Sequence, residues 1–220
     1  MTRILVTNDD GFQAEGIRAL AEELRALGEV IVVAPDREQS ASGHSLTLQR
    51  PLRLHEHGEG WYSVDGTPTD CVNLAVLWLL RDTPPDLVVS GINNGLNLGD
   101  DVTYSGTVSA TFEASLLGLA SIAFSQEVGE GASFVRSAAL ARRIVETVLA
   151  EPPAANLLLN VNFPAGEPKG IAFARLGHRV YQQVVVEKED PRGRRYFWIA
   201  GTPEWRSDAG TDHEALSRGL

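Results

Sequence analysis

The chain has 220 residues, 43% of them hydrophobic and 22% charged, with a formal net charge of −10. That size suits one large domain, or one domain with a substantial insertion, and allows a sizeable buried core. The acidic balance repels polyanions and excludes a nucleic-acid scaffold role, and no run of about 18 apolar residues is present to span a membrane.

Met1 to Thr7 place only a few apolar side chains before Asn8, Asp9 and Asp10, unlike a secretory signal. Cys71 is the single cysteine, so no internal disulfide forms, and the expected compartment is the cytoplasm. Arg3 to Thr7 (RILVT) reads as a short apolar strand. Ile17, Leu20, Ala21, Leu24 and Leu27 then recur at helical spacing, with Gly28 as the stop. Val30 to Ala34 (VIVVA) is apolar throughout, as suits a parallel strand covered on both faces. A polar loop runs from Pro35 to Ser45. Thr67-Pro68 has the pattern of an N-cap followed by proline at the first helical position, opening a helix through Leu80. Leu87 to Ser90 is a third strand, and a glycine- and asparagine-rich loop spans Gly91 to Ser105. A helix follows from Gly106 to Leu117, then a strand from Ser121 to Phe124, a helix from Phe134 to Leu149 and a strand from Leu157 to Val161.

Strands alternating with helices predict an α/β fold with a doubly wound sheet. After about Pro164 the pattern changes. Ile171 to Arg175, Val180 to Val186 and Tyr196 to Ala200 read as strands, with Asp190 to Gly193 as a turn. The expected organisation is a single unit over 1–220, with a core over 1–164 and a β-rich extension over 165–220.

Four segments can carry chemistry. Thr7-Asn8-Asp9-Asp10-Gly11 ends the first strand, and ligands of open α/β sheets sit beyond the carboxyl ends of the strands. Two adjacent carboxylates repel each other unless a cation intervenes, and oxygen donors favour Mg²⁺, Mn²⁺ or Ca²⁺. Asn-Asp-Asp-Gly is also good turn chemistry. The loop Asp36 to Ser45 is rich in hydroxyls that can ligate a hard metal, or can simply face water. Ser90 to Asp101 brings asparagines and glycines to a strand end, where a loop must approach a ligand closely. Tyr104-Ser105-Gly106-Thr107 precedes a helix whose N-terminal amides form either an anion site or a plain cap. All four are expected at one edge of one sheet, and that joint placement outweighs any single alternative. His44 is a weaker candidate for a leaving-group contact. His55, His57, His178 and His213 lack metal spacing, and Cys71 sits among apolar residues on a helix.

RILVTNDDG (Arg3 to Gly11), VVAPDREQSASGHSLT (Val32 to Thr47), GTPTDCV (Gly66 to Val72), VVSGINNGLNLGDDVTYSGTVSA (Val88 to Ala110) and DPRG (Asp190 to Gly193) follow one another through nearly the whole chain. In these motifs the sequence resembles the SurE family, the stationary-phase survival proteins, which are 5′/3′-nucleotidases. The resemblance implies a Rossmann-like core with a β-hairpin extension, and one divalent cation, Mg²⁺ or Mn²⁺, held by Asp9, Asp10, Ser40 and Asn93. It implies phosphate contacts near Asn97, Ser105, Gly106 and Thr107. It also implies hydrolysis of nucleoside 5′- and 3′-monophosphates, with short polyphosphate as a further substrate, and assembly into homodimers or homotetramers. Family chains continue past the Gly210-Thr211-Asp212 segment with another strand and a tail that helps dimers assemble, whereas this sequence stops at Leu220.

The mechanism expected from these residues is in-line attack of water on phosphorus, aided by a Lewis-acid cation. Ser105, the Gly106 and Thr107 amides, and Asn97 would hold the equatorial oxygens, and Asp9 would orient or deprotonate the water. Asp9, Asp10, Asn97 and Ser105 are therefore the candidate catalytic residues. Two other classes fit less well. A signalling receiver needs a phosphoacceptor aspartate where this chain has Ser90, and a lysine where it has Ser125. A dinucleotide binder needs a G-x-G-x-x-G that the first strand does not lead into.

Overall fold

A computed structural model describes residues 2–58, 60–154, 156–181, 184–200, 203–206 and 208–220. Its centre is a seven-stranded sheet with the order β3-β4-β2-β1-β5-β6-β7. The strands are β1 (Arg3–Thr7), β2 (Glu29–Pro35), β3 (Leu54–Gly58), β4 (Trp61–Val64), β5 (Leu87–Asn94), β6 (Ser121–Gln126) and β7 (Leu158–Phe163). All neighbours pair in parallel except β3, which runs antiparallel to β4 at the edge.

The apolar strands alternate their side chains between two buried layers, as the two-residue period of a strand requires. Ile4, Val6, Leu87, Val89, Ile122 and Phe124 pack under helices α1 (Glu15–Leu24) and α4 (Phe134–Leu149). Leu5, Ile31, Val33 and Val88 pack under α2 (Pro68–Leu74) and α3 (Gly106–Leu116). Helices on both faces make the fold α/β and doubly wound. With the β3 edge strand set aside, the chain winds from β1 outward through β2 and β4, then returns to wind through β5, β6 and β7. The order reverses between β1 and β5, and a crevice opens there in sheets of this kind.

Most helix boundaries follow from caps. Thr67 and Asp70 form a reciprocal capping box with Pro68 at the first helical position of α2. Ser105 caps α3 and Ser133 caps α4 through their hydroxyls. The expected helix through Leu80 is instead α2 followed by a π-helical turn, Ala75–Leu79. Helix α1 ends at Leu24, three residues before Leu27.

The hairpin β3–β4 is absent from the sequence expectation, because its outer strand is polar and almost wholly exposed. The extension is β-rich as expected, with β9 (Val184–Glu189) pairing antiparallel to β10 (Arg195–Ala200), and β8 (Arg179–Tyr181) to β11 (Pro203–Trp205). The turn at Asp190 to Gly193 closes β9–β10 through a Gly193 N–H bond to the Asp190 carbonyl, 2.9 Å. The strand expected at Ile171 to Arg175 is corrected: only Arg175 bridges, to Thr211, and Ile171 and Phe173 stand in solvent. Gln182 and Gln183, inside another expected strand, lie outside the described residues. A short helix, α5 (Asp212–Ser217), was not expected. No described helix is long and apolar enough to cross a membrane.

Candidate active site

The register pairs Thr7 of β1 with Ser90 of β5 as the last β1–β5 pair, on either side of the switch point; β5, expected to end at Ser90, runs on beside β6 to Asn94. Beyond them lies a cleft of about 550 Å³, lined by Asp9, Asp10, Glu38, Ser40, Asn93, Asn97 and Ser105 among others. Six of the eight expected site residues therefore meet in one space. Gly106 and Thr107 lie buried at the start of α3, against Asp9.

Each segment is locked by its own backbone chemistry. Asn8 folds the turn after β1, accepting the Gly11 N–H on its Oδ1 at 3.2 Å and donating its Nδ2 to the Gly11 carbonyl at 2.9 Å. Gly11 has φ +97, a value that favours glycine. The pairing of β5 with β6 shifts register between Ser90 and Asn93, an irregularity of the kind that re-aims side chains near active sites. The Asn93 Nδ2 then donates to the Gly95 carbonyl at 2.8 Å. Asn97 is fixed from three sides. Its N–H donates to Asn162 Oδ1 at 2.9 Å, its Nδ2 to Ser125 Oγ at 2.8 Å, and its carbonyl accepts from Asn160 and Asn162.

Asp9 is 5% exposed. Its Oδ1 accepts a short hydrogen bond from the Thr107 hydroxyl. Burial pushes the Asp9 carboxyl above the usual carboxylate range, while Thr107 and the amides of Gly106 and Thr107 pull it back down. Burial, then the Asp9 charge, raise Asp10 to about 6; the Asn94 N–H at 3.2 Å opposes this, and Glu38 adds a smaller rise. Both carboxylates are thus held where their charge is disfavoured. Lys and Arg are absent from the described lining of the cleft.

Among the described residues no cluster of three or more His, Cys, Asp or Glu side chains is arranged to hold an ion. A cation here must draw on amide and hydroxyl oxygens as well as Asp9 and Asp10, and the cleft supplies them from Asn93 and Ser40. This all-oxygen set suits a hard divalent ion and not zinc. Ser40 Oγ donates to Glu38 Oε1 at 2.6 Å, so Glu38 orients that hydroxyl.

Several participants escaped the sequence expectations. Glu38 lies in the expected loop but was not singled out. The Ser42 hydroxyl is buried without a partner beside Gly106. Tyr104, which opens the expected fourth segment, also lines the cleft and is 65% exposed. His44 does not line the cleft. Its Nε2 bonds the buried Glu113 at 2.7 Å, and Asn73 fixes the same carboxylate at 2.8 Å. Cys71 is buried, and burial pushes its thiol well up.

A family model described as "Survival protein SurE" matches residues 4–183. A curated relative from Myxococcus xanthus, named 5′-nucleotidase SurE, is 51% identical over 98% of this chain and 83% of its own length. Another of that name, from Anaeromyxobacter dehalogenans, is 56% identical over 90% of this chain and 78% of its own. The crystal structure of the Sure protein from Aquifex aeolicus superposes with a TM-score of 0.87 at 45% identity, covering 99% of this chain and 90% of that one.

Proposed function

Because this chain belongs to the SurE family, we propose that it is a metal-dependent phosphatase hydrolysing nucleoside 5′- and 3′-monophosphates to nucleoside and phosphate, and short-chain polyphosphate as well. The nucleotidase reading draws on the names of its relatives. The observation that carries the metal-dependent part is the acidic cleft, in which Asp9 and Asp10 stand with the neutral oxygens of Ser40 and Asn93 and, among the described lining residues, no basic side chain.

Asp9, Asp10, Ser40 and Asn93 would hold one divalent cation, Mg²⁺ or Mn²⁺. Such a cation supplies Lewis-acid polarisation of a phosphate oxygen and a lowered pKa for the attacking water. The protein does the positioning. Asn97 and Ser105 line the cleft and offer donors to the phosphate oxygens, and the α3 N-terminus at Gly106 and Thr107 adds a positive dipole end. The Thr107 hydroxyl holds Asp9 in one rotamer. Asp9 orients the water and takes its proton as the P–O bond to the nucleoside breaks, and the departing nucleoside oxygen takes up a proton from Asp9 or from solvent.

The whole chain, 1–220, acts as one unit, with 1–164 as its core and 165–220 as its extension. It assembles as a homodimer or homotetramer. The β9–β10 ribbon supports this, since Phe197, Trp198 and Ile199 stand exposed on it and a lone two-stranded ribbon is marginal in water. One buried thiol suits a reducing compartment, the cytoplasm.

The test is a phosphate-release screen over nucleotides and polyphosphate, with EDTA and with Mg²⁺ or Mn²⁺ restored. Release is expected only with metal, and Asp9→Asn is expected to abolish it while the fold persists. Near-normal turnover in EDTA or in Asp9→Asn refutes the metal assignment.

A further inference from the structure

We propose that Asp212 is a positioning residue for the phosphate-binding segment, fastening the C-terminal extension to the turn that leads into α3. The inference rests on the phosphate contacts proposed above and adds a residue outside the cleft.

The segment from Asn97 to Ser105 is held at its start and at its end. At its start, β6 and β7 grip Asn97 through Ser125, Asn160 and Asn162. At its end, Ser105 caps α3. Between them lies a single 3-10 turn, Gly99–Thr103, stapled internally by the Tyr104 N–H to the Asp101 carbonyl at 3.0 Å. One turn has few internal bonds, so its placement depends on what grips it from outside.

That grip comes from residues far along the chain. Asp212 Oδ2 accepts the Gly99 N–H at 2.7 Å. Asp212 Oδ1 accepts the Gly177 N–H at 2.9 Å and the His213 N–H at 2.8 Å. An aspartate in the first turn of a helix ordinarily serves its own helix end. Here it also collects N–H groups from two foreign segments, and carboxylate acceptors make the stronger class of hydrogen bond. The approach is close: a Cβ at Gly99, where φ is +53, would lie 2.5 Å from the Gly177 carbonyl oxygen. Two further ties run the same way. The Arg179 N–H donates to Asp100 Oδ2 at 3.2 Å, and the Arg179 guanidinium pairs with the Asp101 carboxylate. Trp205, stacked on His213 at 4.4 Å, packs its ring against Gly99.

Asp101 and Ser105, within and just beyond this turn, both line the cleft. Without the Asp212 carboxylate the Gly99 N–H loses its acceptor, and the turn is held relative to Asp9 less firmly, by the Arg179 and Trp205 ties. A displacement of about 1 Å at such a distance from the chemistry can cost on the order of 100-fold in rate.

The experiment compares Asp212→Ala and Asp212→Asn with the parent full chain loaded with Mn²⁺. It measures KM and kcat for a nucleoside 5′-monophosphate, the calorimetric Kd of inorganic phosphate, the half-saturating Mn²⁺ concentration and Tm. For Asp212→Ala we expect KM and the phosphate Kd to rise about tenfold or more while Mn²⁺ half-saturation moves less than twofold. Asp212→Asn keeps one carbonyl oxygen for the Gly99 N–H and is expected to recover most of the loss. It also carries the test if the alanine variant does not fold: a residual rise in phosphate Kd of about twofold or more, without a metal effect, is then required. An unchanged phosphate Kd in folded variants overturns the proposal, as does an equal loss of phosphate and Mn²⁺ binding. Phosphate binding needs no turnover, so a parent that binds phosphate but hydrolyses no nucleotide refutes the nucleotidase reading and leaves this comparison intact.

Discussion

Asp10→Asn should make the metal-free protein more stable at pH 8 while removing its metal-dependent activity. In the folded chain the Asp10 carboxyl titrates at about 6, against 3.8 for the free side chain. A carboxyl whose folded pKa is raised has its full stability below the unfolded value and loses it as pH climbs through the folded one. The loss therefore falls between about pH 4 and pH 6 and is complete by pH 8. The rise from 3.8 to about 6 corresponds to roughly 3 kcal/mol. Asp10 is only partly buried, and solvent screening cuts this to about 1–2 kcal/mol. Asparagine carries no proton to lose and still offers an oxygen to the Asn94 N–H, so the variant escapes the penalty. At about 2–4 °C per kcal/mol for a chain of this length, Tm in EDTA at pH 8 should rise by about 2–8 °C. The assay is thermal unfolding of both proteins in EDTA from pH 4 to pH 8, repeated with Mn²⁺. The gap should close at pH 4. Saturating Mn²⁺ should reverse it, because about 100 Kd of ligand adds about 2.7 kcal/mol to a protein that binds it. A variant no more stable than the parent at pH 8 in EDTA, or a gap that persists at pH 4, refutes the reasoning.

Other perturbations probe the same architecture. Gly106→Ala places a Cβ 2.7 Å from the Asp9 Cβ and 2.9 Å from Ser42 Oγ; since alanine otherwise favours a helix, kcat/KM should fall tenfold or more with only a small change in Tm. Thr107→Val removes the hydroxyl that holds Asp9 and leaves a buried carboxylate short of a donor; kcat/KM should drop about 10–100-fold and stability by about 1–3 kcal/mol, and Thr107→Ser should restore both. Calorimetry should show Mn²⁺ binding without phosphate and no phosphate binding in EDTA, and phosphate binding to the metal-free protein would contradict the ordered scheme. Thr67→Ala deletes the capping box of α2 and should cost about 1 kcal/mol in chemical denaturation without changing kcat.

The sequence exposed what local chemistry decides. Helix α4 runs from Phe134 to Leu149 as its periodicity and the Ser133 cap dictate, and β1 occupies the apolar run Arg3 to Thr7. The convergence of the Asp9, Ser40, Asn93 and Ser105 segments was legible because parallel strands put their carboxyl ends at one edge. Long-range pairing was not. Strand β3 reads LHEHG, with no period and little apolar content, and becomes a strand only because β4 presents an edge to it. Ile171 and Phe173 alternate as strand residues do, yet among the described residues no strand pairs with them and both face water. The Thr107 bond to Asp9 spans 98 residues and the Asp212 bond to Gly99 spans 113. Nothing in the spacing of either pair announces the contact.

The arrangement of charge explains why the cleft is built from neutral donors. Asp9, Asp10 and Glu38 line it together with an Asp101 that is paired to Arg179, and a phosphate dianion entering that field meets the like charges of the first three. A lysine or arginine in the wall would offset the repulsion, but it would also compete with a divalent ion for the same carboxylates. Amides and hydroxyls from Asn97, Ser105 and the start of α3 avoid that competition. In the proposed site they would hold phosphate oxygens through dipoles and leave Asp9 and Asp10 for the ion. The raised Asp10 carboxyl is the cost of that choice in the metal-free state, and a bound cation would remove it. On the proposed reading, the same two aspartates would lower the stability of the empty protein and make phosphate binding conditional on the ion.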